Sequence, residues 1–274
     1  MSHAPRMLVL LLLVLTLSAV PGTAQNAIGY SDAYCAGFNT SRALGPLYVA
    51  AGEDKEVRLS YTTPHYVYLS QGGLSVGSEY MIVRHAVDPT KVKAYPKQSA
   101  EQMAMGMFYA DIARVKVVVA HDKTSTAQVI FSCEEILPGD IAITPETRPL
   151  PEYRARGAFD RFAPPSGKTV GQIVNGRDFE QYIGRGQRIH VNLTSTEVKP
   201  GDYLRIFRYG KGPEYTASGH GTSYGMARGP IKKGHLPREV IGEAMVIRTE
   251  DKAAIAIVTD SLRDISLGDY VEVE

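Results

Sequence analysis

The stretches "SVGSEYMIVR" (75–84) and "KPGDYLRIFR" (199–208) lie 124 positions apart and share a glycine turn, an apolar run and a closing arginine. Extended outward at that offset, "VYLSQGGLSVGSEYMIVR" (67–84) faces "VNLTSTEVKPGDYLRIFR" (191–208), pairing Val67 with Val191, Leu69 with Leu193, Ile82 with Ile206 and Arg84 with Arg208. Further on, at offset 129, "IARVKVVVAHDKTSTAQVIFSCEEILPGDI" (112–141) faces "IGEAMVIRTEDKAAIAIVTDSLRDISLGDY" (241–270) without a gap. The change of offset places a loop of different length inside each copy. Two blocks in register on both sides of a variable loop indicate a tandem duplication, and the repeat decides the fold.

Each copy reads as strands. Val115, Val117 and Val119 alternate with Arg114, Lys116 and Val118, and Ala127, Val129 and Phe131 alternate with Gln128, Ile130 and Ser132. That period-2 pattern, rich in β-branched residues, suits a half-buried pleated surface. "PGD" (138–140 and 200–202) and "LGD" (267–269) fit tight turns in which glycine takes the positive φ, with the aspartate bonding backbone donors. Arg84 and Arg208, at strand exits, are expected to fan over a barrel rim. The one helix-like stretch is Ser99 to Ala113, where Met105, Phe108 and Ile112 could share a face, although Gly106 interrupts it. The expected fold is therefore all-β: a tandem duplication of a small antiparallel β-barrel, SH3- or OB-like, with long mid-repeat loops at 85–111 and 209–239.

The chain opens "MSHAPRMLVLLLLVLTLSAVPGTAQNA", with Arg6 ahead of a short apolar core, then Pro21 and small residues up to Ala24. This reads as a secretory signal peptide, residues 1–24, cleaved after Ala24; its apolar run is too short for a good membrane span, and no later segment is a candidate. The expected location is periplasmic or extracellular. Removing Arg6 from 30 basic and 29 acidic side chains leaves a balanced mature chain, which argues against nucleic acid as a partner. Residues 25–150 form the first expected barrel and 169–274 the second. Between them 151–168 is a proline-rich linker, within a stretch (144–168) holding five prolines and four arginines. The two cysteines, Cys35 and Cys133, form a candidate disulfide outside the cytoplasm, two separately buried thiols being the alternative.

The glycine turn before a "Y-x-x-(V/F)-R" strand, the variable loop, the "V-x-V" and "A-x-V" strands and the terminal "GD" resemble the β-rich repeat in the C-terminal domain of flagellar assembly protein T. They are also similar to the β-domains that accompany LysM modules in bacterial envelope proteins. With "DRFAPPSGK" (160–168), "REVIGEAMVIR" (238–248) and "LGDYVEVE" (267–274), most of the mature chain looks like secreted bacterial proteins carrying two such repeats. The resemblance implies a fold, and neither a cofactor nor a catalytic residue.

The residues themselves show no G-x-S-x-G, S-x-x-K, H-E-x-x-H or Walker motif, no metal-type ligand spacing and no cofactor fingerprint. Glu134 and Glu135 are adjacent, so in a strand they point to opposite sides rather than forming an acid–base pair. "SGHGTSYG" (218–225) is the most enzyme-like fragment. Long loops carry binding more often than short ones, so Tyr95, Tyr109, Tyr215, His220, Tyr224 and His235 are the candidate binding residues. The alternative is that these tyrosines close the barrel ends. The expected function is a non-catalytic exported envelope protein that binds or scaffolds a protein partner. A peptidoglycan or carbohydrate binder, disfavoured by the absence of LysM and Trp, and a hydrolase with a site in 209–239 are the rivals.

Overall fold

The computed structural model describes residues 29–55, 58–90, 92–153, 160–209 and 237–274. The expected signal peptide and its cleavage point after Ala24 lie outside the described residues, as do Tyr215, His220, Tyr224 and His235. A short helix α1 (Tyr30–Tyr34) precedes β1 (Phe38–Thr40), β2 (Val49–Gly52), β3 (Tyr66–Leu69) and β4 (Glu79–His85); helix α2 (Gln98–Met105) then leads to β5 (Met107–Ala120), β6 (Ser125–Ser132) and β7 (Ile141–Ile143). The second half contains β8 (Val170–Gly176), β9 (Tyr182–Ile183), β10 (Arg188–Val191), β11 (Tyr203–Tyr209), β12 (Arg238–Thr249), β13 (Ala254–Ser261), β14 (Ile265–Ser266) and β15 (Tyr270–Val273).

The fold is all-β. The second half closes as a six-stranded antiparallel barrel, and read from β8 its order is β8-β10-β13-β12-β11-β15. The first half runs β2-β3-β6-β5-β4-β7, with β1 added beside β5. This sheet is bridged shut where Tyr48 pairs with Ile141 and Val49 N–H donates to the Asp140 carbonyl at 2.8 Å. The two orders are the same, element for element. Even the irregularities repeat: the β4–β5 ladder shifts register between Ile82 and Val83, and the β11–β12 ladder between Ile206 and Phe207. The β5–β6 ladder shifts after Arg114 and after Val117, and the β12–β13 ladder after Glu243 and after Val246. Bulges are positional features of a sheet, so their coincidence is stronger than a shared strand count. Each barrel has its own core, one around Val67, Ile82, Val117 and Ile136, the other around the matched Val191, Ile206, Val246 and Ile265.

The repeated turns have one physical role. Gly77, Gly139, Gly201 and Gly268 all have φ between +89° and +96°, where a Cβ is disfavoured. Each glycine donates its N–H at 2.8 Å to a neighbouring strand: to Val117, Val49, Val246 and Ile173 respectively. The closing arginines do more than fan over a rim. Arg84 grips Asp140 through Nε at 2.7 Å and Nη2 at 2.8 Å, and Arg208 grips Asp269 at 2.6 and 2.5 Å. The two aspartates also accept the N–H groups of Leu137 and Ser266 inside their turns. These hydrogen bonds outweigh burial and hold both guanidiniums more firmly charged than usual.

One expectation changes. The helix occupies only the first half of the Ser99–Ala113 stretch: Gly106, at φ +91°, ends it, and Met107 onward is strand. Phe108 and Ile112 are buried as strand residues, their spacing being compatible with either period. The described C-terminal part of the proline-rich stretch, 160–168, packs on the second half. Val240 N–H donates to the Arg161 carbonyl, Ser166 N–H to Glu272, and Ala163 is buried on Phe207 and Val240.

Candidate functional site

The spacing between barrels is set by the N-terminal strap, residues 30–47, wedged between them. Cys35 and Cys133 are disulfide-bonded with their Cα atoms 5.5 Å apart, which ties the strap to the end of β6. On the first barrel, Asp111 accepts from Gly37 N–H at 2.8 Å and from Arg148 at 2.6 and 2.9 Å, in an ion pair whose side chains are 2% and 6% exposed. On the second, Arg188 bonds Asp32 at 2.8 Å, and Arg177 reaches the Cys35 carbonyl and Glu134 at 2.8 and 2.6 Å. His190 Nδ1 lies 2.8 Å from Asn39 Oδ1 of β1 and is wholly buried. Burial pushes its pKa down to about 3, against a weaker opposing pull from the Ala36 backbone, so the ring is neutral near pH 7. An apolar cluster of Phe38, Val83, Tyr109, Met245, Ile247, Ile255 and Ile257 fills the junction.

Within this frame the described candidate tyrosines do structural work. Tyr109 is 5% exposed and stacks on Phe38 with centroids 5.5 Å apart. Tyr95 leans on the second barrel's core beside Gly268 and donates its hydroxyl to Glu101 at 2.6 Å. Burial and that carboxylate raise the phenol's pKa further, so it stays neutral. Helix α2 docks the same barrel through Gln98 to the Val174 carbonyl and Gln102 to Asn175. The first mid-repeat loop therefore closes a barrel end and bridges the halves. Glu134 is held by Arg177, with Arg84 at 3.8 Å, rather than poised as an acid or base.

Beside the strap a cleft of about 580 Å³ opens at the junction. Phe38, Leu44, Leu47, Tyr80, Ala142 and Ile143 supply its apolar lining, and Arg248, Glu250, Asp251 and Lys252 from the β12–β13 hairpin supply charged lining. Arg248 ties the three parts: its guanidinium lies 4.8 Å from the Phe38 ring, bonds Glu146 at 2.8 Å and pairs with Glu250. Glu250 has a raised pKa because burial outweighs the stabilising Arg248 charge. At the lip Arg42 meets Asp251 at 3.3 Å, both highly exposed, and Lys252 has no ion-pair partner among the described residues. The cleft joins an apolar wall to a rim of mostly paired charges, the usual make-up of a recognition site. Its lining carboxylates are paired, Glu146 and Glu250 with Arg248 and Asp251 with Arg42, and among the described residues no group of three His, Cys, Asp or Glu could hold a metal.

Sequence reasoning missed this place. One signal was available: at offset 124 Gly45-Pro46 faces Thr169-Val170, a strand-compatible pair in one copy and a breaker in the other. No protein-family model matches the chain, and no curated protein matches it in sequence.

Proposed function

We propose that this protein is a non-catalytic, exported component of a bacterial cell envelope whose fused barrel pair holds a segment of a protein partner in the inter-barrel cleft. The observation that carries the reading is the cleft itself, formed by three chain segments locked together by a disulfide, a buried ion pair and an apolar junction. Such locking favours recognition because little conformational freedom remains to be lost on binding. The pairing of the lining carboxylates supports binding over hydrolysis: Glu146 and Glu250 are engaged by Arg248, and Asp251 by Arg42. The disulfide fits an oxidising compartment, and among the described residues no helix is long and apolar enough to cross a membrane.

The test is a cross-linking pull-down of residues 25–274 from the native envelope, with purified sacculi as a parallel bait. One protein partner, lost with Leu44→Asp and Lys252→Glu, is the expected result. Retention on sacculi alone would move the assignment to a wall binder. A partner that ignores both substitutions would place the binding surface elsewhere.

A further inference from the structure

The cleft exists because the two barrels close their seams differently. In the second barrel β15 is paired along its length with β8: Val271 faces Gly171, Glu272 faces Val170, and Val273 N–H reaches the Thr169 carbonyl at 3.1 Å. In the first barrel the matching seam makes the Val49–Asp140 bond, the Tyr48–Ile141 bridge and a last bond from Ala142 N–H to the Leu47 carbonyl at 2.9 Å. There the ladder stops. Gly45 and Pro46 stand where Thr169 and Val170 stand in the other copy, and residues 43–47 lie outside the ladder. Thr144, the counterpart of Val273, is exposed, and among the described residues neither its N–H nor its carbonyl has a hydrogen-bond partner. This bare edge lines the cleft beside Leu44, Leu47, Tyr80 and Ile143.

We propose that the cleft receives an extended peptide segment of the partner as an added strand on the edge that continues β7 at Thr144, in the place that residues 169–170 fill in the second barrel. The proposal rests on the protein-binding reading above and specifies its mode. An unpaired strand edge is a template for another strand, and main-chain bonding with side-chain pockets is a known recognition mode. The second copy shows what geometry of chain covers this edge: an antiparallel strand carrying a β-branched residue, Val170, followed by Gly171. Alternate residues of a strand bond opposite neighbours: in the second barrel Val273 N–H turns to Thr169 while Glu274 N–H turns to Tyr203, so Thr144, the counterpart of Val273, is the residue that faces this edge. Lys252 at the lip, without an ion-pair partner among the described residues, selects a segment with an acidic residue beside its β-branched one.

The probe is a capped synthetic peptide of residues 166–170, SGKTV, which stops short of the positions that Leu47 to Val49 already fill, titrated into the intact mature chain and followed by amide shifts and hydrogen exchange. Saturable binding is expected, with Thr144 N–H becoming protected and shifts centred on residues 44–47 and 142–146. Peptide Val170→Pro should bind at least tenfold more weakly, and peptide Lys168→Glu about two- to fivefold more tightly. Thr144→Pro in the protein should abolish binding without lowering the melting temperature, since that N–H has no hydrogen-bond partner among the described residues. No binding at millimolar peptide, or binding without Thr144 protection, overturns strand addition. An envelope partner lost with Lys252→Glu but kept by Thr144→Pro sinks strand addition while leaving the cleft reading intact. A partner kept by both removes the reading on which it rests.

Discussion

Arg84 and Arg208 explain why the repeat ends on arginine. Each reaches from the end of a strand to the aspartate of a glycine turn that launches the next strand round the barrel, as Arg84 does from β4 to Asp140 before β7. A lysine would supply charge but not the two parallel bonds. Asp140 is almost fully buried and serves Arg84 and Leu137 N–H together. Replacing Asp140 by Asn keeps the shape but removes the charge and one acceptor. The expected cost is about 1–3 kcal/mol in urea unfolding, with the midpoint lowered and the slope unchanged. A loss below about 0.3 kcal/mol would mean that the clasp is decorative.

At the scale of elements, strands and turns were legible because their signals are local. Alternation in β5 and β6, and glycine at each positive-φ corner, are written in adjacent residues. The helix was half legible: Met105 lies in α2, but Phe108 and Ile112 keep a helical spacing while being held in β5 by the strap and the barrel core. Tyr109 could not be placed from sequence, because its burial depends on Phe38, far away in the chain. The contact between β10 and β1 was equally silent, yet it has a measurable consequence. His190 keeps a folded pKa of about 3 against about 6.5 when unfolded. Its neutral form is therefore favoured by folding. The associated stability is present above about pH 6.5 and is lost as pH falls, by up to about 1.4 kcal/mol per unit, until the folded pKa is reached. Comparing His190→Gln with the parent between pH 7 and 4 should remove one proton from the pH slope of unfolding. Parallel slopes would show that His190 titrates normally.

At the scale of the whole molecule, the duplication makes two similar barrels but the strap makes one object of them. Cys35–Cys133 closes a loop with a sequence separation of 98, for which the chain-entropy limit is about 4–5 kcal/mol. Cys133→Ser should approach that loss in urea unfolding. It should also speed exchange of strap amides more than those of the second barrel's core strands, since the strap loses its covalent anchor. Uniform acceleration would argue that the strap is not a separable unit.

The most direct test of the central claim is site-specific photo-cross-linking in the native envelope, with a photoreactive residue replacing Leu44 in the cleft or Tyr182, which is 69% exposed and outside it. A discrete protein adduct from position 44 and none from position 182 is the expected result. An adduct from 182 with none from 44 would contradict it and put the binding surface on another face of the barrels.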